Sequence, residues 1–159
     1  MEESLKSSVK EGELEDNVFF YGFISPEKVR ELMDTCHIHL FTSNYLEGWG
    51  AVVNEGMNSG LAEVVCNEVG CAPYLIKDME NGLLYDSSYE DFCKKVLMLM
   101  EDTSLIDRLG ANAYKTICEY WNPANAATQI IRFYNNYIDN KIEPPTEGPL
   151  SVAEDIKPV

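Results

Sequence analysis

The sequence lacks a long hydrophobic run. In its 159 residues no apolar stretch approaches the ~20 residues that a membrane-spanning helix requires. The charged start, MEESLKSSVKEGELED, also lacks the apolar segment of a secretory signal. We therefore expect a soluble, cytoplasmic protein, and the inner face of the membrane is the other location expected for a full-length form.

Positive charge is also scarce. Lysine and arginine together number 12 against 27 aspartates and glutamates, which gives a formal net charge of −15. This charge repels phosphate backbones and anionic lipid surfaces, so the composition predicts no nucleic-acid binding and argues against general membrane binding. Hydrophobic residues make up 45% of the chain, which is enough for one packed core.

The cysteines do not form the close pairs of a zinc site or a redox motif. Cys36, His37 and His39 lie together, but successive residues of a strand point to opposite faces and no second cluster of ligands follows. We therefore expect no metal site and no cofactor. The expected reduced thiols are Cys36, Cys66, Cys71, Cys93 and Cys118.

Apolar runs alternate with helical patterns along the middle of the chain. The predicted strands are NVFFYGF, HIHLFTS, AEVVC and NGLLY. Nearly continuous apolar strands between helices are typical of a parallel sheet with helices on both faces, which predicts an α/β, Rossmann-like fold. The predicted organisation is a charged helix or arm (1–16), one domain (17–140) and a flexible tail (141–159).

Capping patterns predict where the helices begin. Ser25 before Pro26 is a typical N-cap and first-turn pair. Further helices are predicted over 51–59, after Ser87 with Glu90, after Ser104 with Asp107, and after Asn122 with Pro123. Their predicted inward faces include Met100, Tyr120, Ile130, Tyr134 and Tyr137.

The segment EGWGAVVNEGMNSG, residues 47–60, places a glycine-flanked turn between a predicted strand and a predicted helix. Ligands of open α/β sheets bind at such points, where the amides of a helix N-terminus attract anions. Gly48 and Gly50 permit close approach of a ligand to the backbone, and Ala51 and Val52 offer the first amides of the helix. The pattern is suited to a diphosphate, although so acidic a chain must neutralise it with backbone amides or with cations supplied from elsewhere.

Two carboxylates flank this turn, Glu47 in the loop and Glu55 within the helix, eight positions apart. Glu55 is placed to accept two hydrogen bonds from a vicinal diol such as a ribose, and Glu47 to meet a sugar ring. Spacing alone also allows two solvated surface glutamates. A glycoside hydrolase, which needs its two carboxyl groups on opposite sides of a sugar, fits one loop and its helix poorly.

The stretch resembles the signature of glutamate, seven residues and glutamate of the retaining glycosyltransferases of family 4, also called glycosyl transferases group 1. The likeness extends over about residues 15–138, through NVFFYGFISPEKVRELMDTCHIHLFTS before the signature and MNSGLAEVVCNEVGCAPYLIKDMENGLLY after it. The resemblance implies the C-terminal, nucleotide-sugar-binding domain of an enzyme with the GT-B fold. A departure is LAE at 61–63, where the family usually has proline and then valines, and the acid Glu63 has no explanation in the pattern.

The resemblance also implies roles for individual residues. Glu55 would bind the ribose of the nucleotide, and Glu47 would be the catalytic carboxylate that contacts the donor sugar. The other implied donor-binding residues are Gly48, Trp49 and Gly50 against the sugar, Ala51 and Val52 at the diphosphate, and Gly70 near the nucleotide.

The implied activity is transfer of a hexose from a nucleotide diphosphate sugar to a sugar or lipid-linked acceptor, with retention and without a metal ion, in polysaccharide or glycoconjugate synthesis. The family's N-terminal domain, and an arginine and lysine that neutralise the diphosphate, do not precede residue 15, so we expect this chain to be inactive alone. Tyr134 and Tyr137 would then be exposed and favour self-association. The alternative from another class is a non-catalytic α/β interaction or regulatory module.

Overall fold

A computed structural model describes residues 2–138, 144–145 and 147–152, without the side chains of 136–138. Most of the predicted tail, including 141–143, 146 and 153–159, therefore lies outside the described residues, as does the side chain of Tyr137. The elements in chain order are α1 (Glu2–Glu11), α2 (Pro26–Met33), β1 (Ile38–Phe41), α3 (Ala51–Asn58), β2 (Ala62–Cys66), α4 (Ala72–Leu75), β3 (Leu83–Tyr85), α5 (Tyr89–Glu101), α6 (Thr103–Glu119) and α7 (Pro123–Ile138).

The three strands form one parallel sheet in the order β1-β2-β3. Val64 of the central strand is aligned with Leu40 of β1 and with Leu83 of β3. All five residues of β2 are buried although their side chains alternate between the two faces, so both faces of the sheet are covered at its centre. The predicted α/β fold with a parallel sheet is confirmed.

The first predicted strand, NVFFYGF at 17–23, is wrong. These residues form turns and irregular chain, and their side chains are exposed, with Phe19 at 67% and Phe23 fully accessible. A strand forms only where a neighbouring strand accepts its backbone hydrogen bonds. Among the described residues, β1 has β2 on one side and no strand on the other, so this apolar segment has no partner there.

Two of the predicted helix starts need correction. Ser25 caps α2 as predicted, since its hydroxyl accepts from the amide of Lys28 at 3.4 Å. The cap of α5 is Ser88 rather than Ser87, because the Ser88 hydroxyl accepts from the amide of Asp91. The cap of α6 is Asp102 rather than Ser104, since the carboxylate of Asp102 accepts from the amide of Leu105.

The core surrounds β2 and is closed by α3, α5 and α6. Helix α6 packs closely because Gly110 lies against the carbonyl oxygen of Gly60, where a methyl group would overlap it. The predicted inward positions Met100, Tyr120 and Ile130 are instead exposed, because their helices turn only one side to this core. Tyr134 of α7, which the helical pattern also placed inward, is exposed as well, as expected where no second domain covers it.

Candidate functional site

The loop that follows β1 is held by backbone hydrogen bonds. The side chain of Asn44 accepts from the amide of Leu46 at 3.0 Å, and its carbonyl accepts from the amide of Glu47 at 2.9 Å. The carbonyl of Glu47 accepts in turn from the amide of Gly70 at 3.3 Å. Because its backbone is fixed on both sides, Glu47 occupies a defined place at the carboxyl end of the sheet, with a half-buried side chain.

Gly50 forms the N-cap of α3 and is buried. Its φ of 88° lies in the left-handed region, and an added Cβ would come within 3.0 Å of both Phe41 and Val69, so only glycine fits. Gly50 provides no capping side chain, and its carbonyl accepts from the amide of Val53 and from the thiol of Cys71. Among the described residues, no protein acceptor meets the amides of Ala51 and Val52, which leaves two donors at the start of α3 for a ligand.

Glu55 lies on the exposed side of α3, one turn after Ala51, which is also exposed. The opposite side of the helix is buried and consists of Val53, Gly56 and Met57. Helical side chains point back toward the helix N-terminus, so the carboxylate of Glu55 is directed toward the first turn. The structure thus places this acid and the two donors on one accessible side of the same short helix.

The indole of Trp49 turns toward the protein. Its Nε1 donates to Oδ1 of Asn54 at 2.9 Å, and its ring lies 5.9 Å from that of Tyr74 and 5.6 Å from that of Trp121. This packing anchors the loop to α4 and to the residues that precede α7. Contact of a sugar with this part of the loop would therefore be made by its backbone, most readily at Gly48, around which nothing lies within 4 Å of an added Cβ.

Gly70 packs against the backbone of the loop that follows β1. A Cβ on this residue would overlap the carbonyl group of Gly48, and its own amide binds the carbonyl of Glu47. Cys71, the next residue, donates its amide to the carbonyl of Trp49 at 2.9 Å, and its thiol lies 3.9 Å from the carbonyl of Gly50. The glycine predicted near the nucleotide thus allows the loop backbone at Glu47 and Gly48 to pack closely against residue 70.

The acid that the sequence left unexplained, Glu63, is fully buried and is the second residue of β2. Its Oε2 lies 2.8 Å from Nδ1 of His39, its register partner on β1. Its Oε1 has no hydrogen-bond partner in the described part of the chain, and both it and the histidine ring lie against Gly56 of α3. Burial raises the pKa of Glu63 to about 7, although His39 opposes this shift. Sequence reasoning missed the pair because nothing local indicates which residues of two strands become neighbours.

Glu63 should make the stability of the protein depend on pH. The pKa of Glu63 is 4.5 in the unfolded chain and about 7 in the fold. The contribution of this residue to the free energy of unfolding is therefore complete below pH 4.5 and is lost as the pH rises through 7. The raised pKa corresponds to a loss of about 3 kcal/mol in the free energy of unfolding. We expect urea unfolding to reveal this decline in the native protein and a much flatter profile in Glu63→Gln. An equal slope in both proteins would contradict this account.

A cavity of about 650 Å³ lies between α4, α6 and the described residues of 144–152. Tyr74 and Trp121, which contact Trp49, belong to its wall, but none of the predicted site residues does. The amide of Asn81 in its wall already donates to the carbonyl of Leu75 and to the hydroxyl of Thr116. We therefore place the candidate site at the start of α3 and not in this cavity.

The described part of the chain has neither a cluster of metal ligands nor a helix that could span a membrane. No group of three or more histidine, cysteine or acidic side chains there could hold a metal ion, and Cys36 and His37 are exposed. No helix within these residues has both the length and the hydropathy needed to cross a membrane.

Comparison with known proteins agrees with this architecture. A crystal structure of the C-terminal domain of a glycosyl transferase group 1 family protein, LpcC from Francisella tularensis, is 28% identical with a TM-score of 0.67, over 74% of this chain and 60% of that one. Sucrose-phosphate synthase from Thermosynechococcus elongatus (23%, TM-score 0.68) is matched over 86% of this chain and 34% of its own. HepE from Anabaena, solved in complex with UDP (23%, TM-score 0.71), is matched over 84% and 36%.

The chain therefore spans 60% of the LpcC domain structure and about a third of the two longer proteins. The likenesses at 23% identity concern the fold alone. A search of curated proteins gave no significant match. The sequence profile described as Glycosyl transferases group 1 matches residues 1–116, which is more than half of the chain. The chain thus belongs to the glycosyl transferases group 1 family, as the resemblance of residues 47–60 and their surroundings had indicated.

Proposed function

We propose that this chain binds the nucleotide diphosphate part of a sugar donor at the start of α3, and that the enzyme to which it contributes transfers the sugar with retention of configuration. The observation that carries the proposal is the arrangement on α3. Two amides that meet no acceptor among the described residues, at Ala51 and Val52, follow a glycine N-cap, and Glu55 lies on the same accessible side.

The diphosphate is bound by the first turn of α3. Exposed amides and the helix dipole together provide a partial positive charge at this point. The predicted site residues include no lysine or arginine, and the chain carries a net charge of −15. Backbone amides therefore provide the local attraction, and a cationic pair from another part of the enzyme would complete the neutralisation of the leaving diphosphate.

The ribose is bound by Glu55. An ionised carboxylate accepts one hydrogen bond from each of two vicinal hydroxyls, and such charge-assisted bonds are stronger than neutral ones. The position of Glu55 one turn into α3 places these acceptors beside the diphosphate donors. Gly70 acts indirectly. Its close contact with Gly48 keeps the loop that follows β1 away from the exposed side of α3.

Glu47 contacts the donor sugar and is the candidate catalytic residue. When the bond from the anomeric carbon to the diphosphate breaks, positive charge develops on the sugar, and a carboxylate at the loop stabilises it. The backbone hydrogen bonds to Asn44 and Gly70 hold the backbone of Glu47, from which this carboxylate extends, in place. We propose that a metal ion is not required, that the acceptor is a sugar or lipid-linked glycan held by a separate domain, and that this chain alone does not turn over.

Relatives support a nucleotide ligand. HepE has been solved with UDP, with UDP-glucose, and with UDP and glucose. TarM from S. aureus has been solved with UDP and an α-GlcNAc-glycerol. These ligands make UDP the reasonable first probe for this chain, and we propose a hexose as the sugar transferred.

Calorimetric titration with UDP tests the proposal. We expect binding to the native chain, with no change on addition of EDTA, and an affinity about 10-fold to 100-fold lower in Glu55→Ala, because a charge-assisted pair of hydrogen bonds is worth about 1.5–3 kcal/mol. Glu101→Ala removes an exposed helical glutamate far along the chain and is the matched control. UDP lacking both ribose hydroxyls should bind the native protein and Glu55→Ala equally weakly.

The competing hypothesis of a non-catalytic α/β module predicts a different result. In that case no nucleoside diphosphate would bind at millimolar concentration, and Glu55→Ala would behave as the native chain does. Equal loss of affinity in Glu55→Ala for UDP with and without its ribose hydroxyls would also refute the ribose role.

A further inference from the structure

The His39 and Glu63 pair lies directly behind the candidate site, on the buried side of α3. A Cβ added to Gly56 would overlap Oε1 of Glu63 and lie 3.0 Å from Nδ1 of His39. Gly56 follows Glu55 in sequence. The two side chains therefore determine how closely α3, with its donors and its exposed carboxylate, approaches the sheet.

A carboxylate at this position is an unusual choice for packing alone. A well-packed apolar side chain on a central strand avoids the cost of removing a carboxyl group from water, whereas Glu63 is fully buried and leaves one oxygen unpaired. Gly82, just before β3, carries no charge, and a Cβ added there would lie 3.4 Å from the Cβ of Glu63. Its only hydrogen-bond partner in the described residues is His39.

The charge of Glu63 extends to the base of the loop. Both Glu63 and Glu47 raise the pKa of Cys71, which burial raises most, to about 12. Cys71 binds the carbonyl of Trp49 and contacts the carbonyl of Gly50, the N-cap of α3. A negative charge on Glu63 therefore acts on the start of α3 from its buried side. This charge opposes the binding of an anion at the amides of Ala51 and Val52.

We propose that Glu63 and His39 are positioning residues of the diphosphate site, and that the site binds its ligand tightly only while the pair retains the proton that the two side chains share. This inference rests on the proposed function. With one proton the pair is neutral overall, whichever side chain holds it, and without that proton it carries one negative charge. Binding of a diphosphate and retention of the proton therefore strengthen one another.

The titratable groups near Glu63 limit the explanations for such an effect. His39 faces it from β1, Cys71 lies before α4, and Glu47 lies in the loop, while the residue of α3 that touches it is Gly56. Glu55 is exposed on the opposite side of α3. Burial keeps the pKa of Cys71 at about 12, so its thiol does not ionise near neutral pH.

The test is the affinity for UDP between about pH 6.5 and 8.5, a range that surrounds the pKa of about 7 of Glu63. For each pH the dissociation constant of the native protein is divided by that of Glu63→Gln, which cancels the titration of UDP itself. We expect this ratio to rise about fivefold across the range. Calorimetry in buffers of different ionisation enthalpy should detect proton uptake on binding at pH 7 in the native protein and less in Glu63→Gln.

Two further variants complete the experiment. Glu101→Gln removes one exposed negative charge, so the dissociation constant of the native protein divided by that of Glu101→Gln should stay constant with pH. His39→Gln removes the partner that opposes the rise in the pKa of Glu63, so the fall in affinity should move to higher pH. This variant tests the inference even if Glu63→Gln does not fold.

The two levels of the proposal fail in different ways. UDP binding by the native protein with a constant ratio to Glu63→Gln, or with an unchanged profile in His39→Gln, would overturn this inference and leave the proposed function intact. Absence of UDP binding in the native protein and in Glu101→Gln at every pH would overturn the proposed function, and this inference with it.

Discussion

Replacing Gly70 with alanine is expected to lower the free energy of unfolding by about 3 kcal/mol and the affinity for UDP at least tenfold. The added methyl group would overlap the carbonyl of Gly48, which is backbone and cannot turn aside as a flexible side chain does. The loop must therefore move away from residue 70, and the hydrogen bond from the amide of residue 70 to the carbonyl of Glu47 is lost. Urea unfolding and calorimetric titration measure the two effects.

Gly48→Ala is the matched control for stability. It adds the same methyl group on the other side of the same contact, where nothing lies within 4 Å. We expect a change in unfolding free energy within about 0.5 kcal/mol. If the two variants were equally stable, the contact between Gly70 and Gly48 would not support the loop as described.

His39→Leu is expected to destabilise the protein by about 3 kcal/mol at pH 8. Removal of the imidazole leaves Glu63 fully buried with neither oxygen bonded, and at this pH the acid must either ionise without a partner or take up a proton at a cost. The measurement is urea unfolding at pH 8 and again at pH 5, where the neutral acid makes the loss smaller.

The double variant His39→Leu with Glu63→Val provides the control for this prediction. Valine removes the buried acid, so most of the lost stability should return although two native residues are gone. A double variant less stable than His39→Leu alone would mean that Glu63 contributes to packing rather than burying an unpaired charge.

Much of the fold followed from patterns that are local in sequence. Continuous apolar runs predicted β1, β2 and β3, because each of them finds a neighbour in the sheet. The same pattern failed at 17–23, since whether a run becomes a strand depends on a partner that periodicity does not reveal. The cap of α5 was displaced by one residue because two adjacent serines satisfy the same pattern, and only the hydrogen bond to Asp91 distinguishes them.

The candidate site was also readable in part. A turn with glycines between a strand and a helix predicted free amides at Ala51 and Val52, and the structure has them. The orientation of Trp49 could not be predicted, because Tyr74 and Trp121 come from distant segments. The roles of the site residues toward a ligand remain predictions.

Glu63 illustrates the limit most clearly. In the sequence it is an acid within an otherwise apolar strand. Its partner is His39, which lies 24 residues earlier and which the sequence analysis considered as a metal ligand. The register of β1 against β2 makes the two residues neighbours, and that register depends on the packing of the whole sheet.

The central claim is that a diphosphate binds the amides of Ala51 and Val52. Titration of the ¹⁵N-labelled protein with UDP tests it directly, because the amide signals of hydrogen-bonded donors shift on binding. We expect the largest shifts at these two residues, and small shifts along the cavity wall near Asn112 and Lys115. Unmoved signals at Ala51 and Val52 in the presence of saturating UDP, or shifts confined to the cavity wall, would contradict the account.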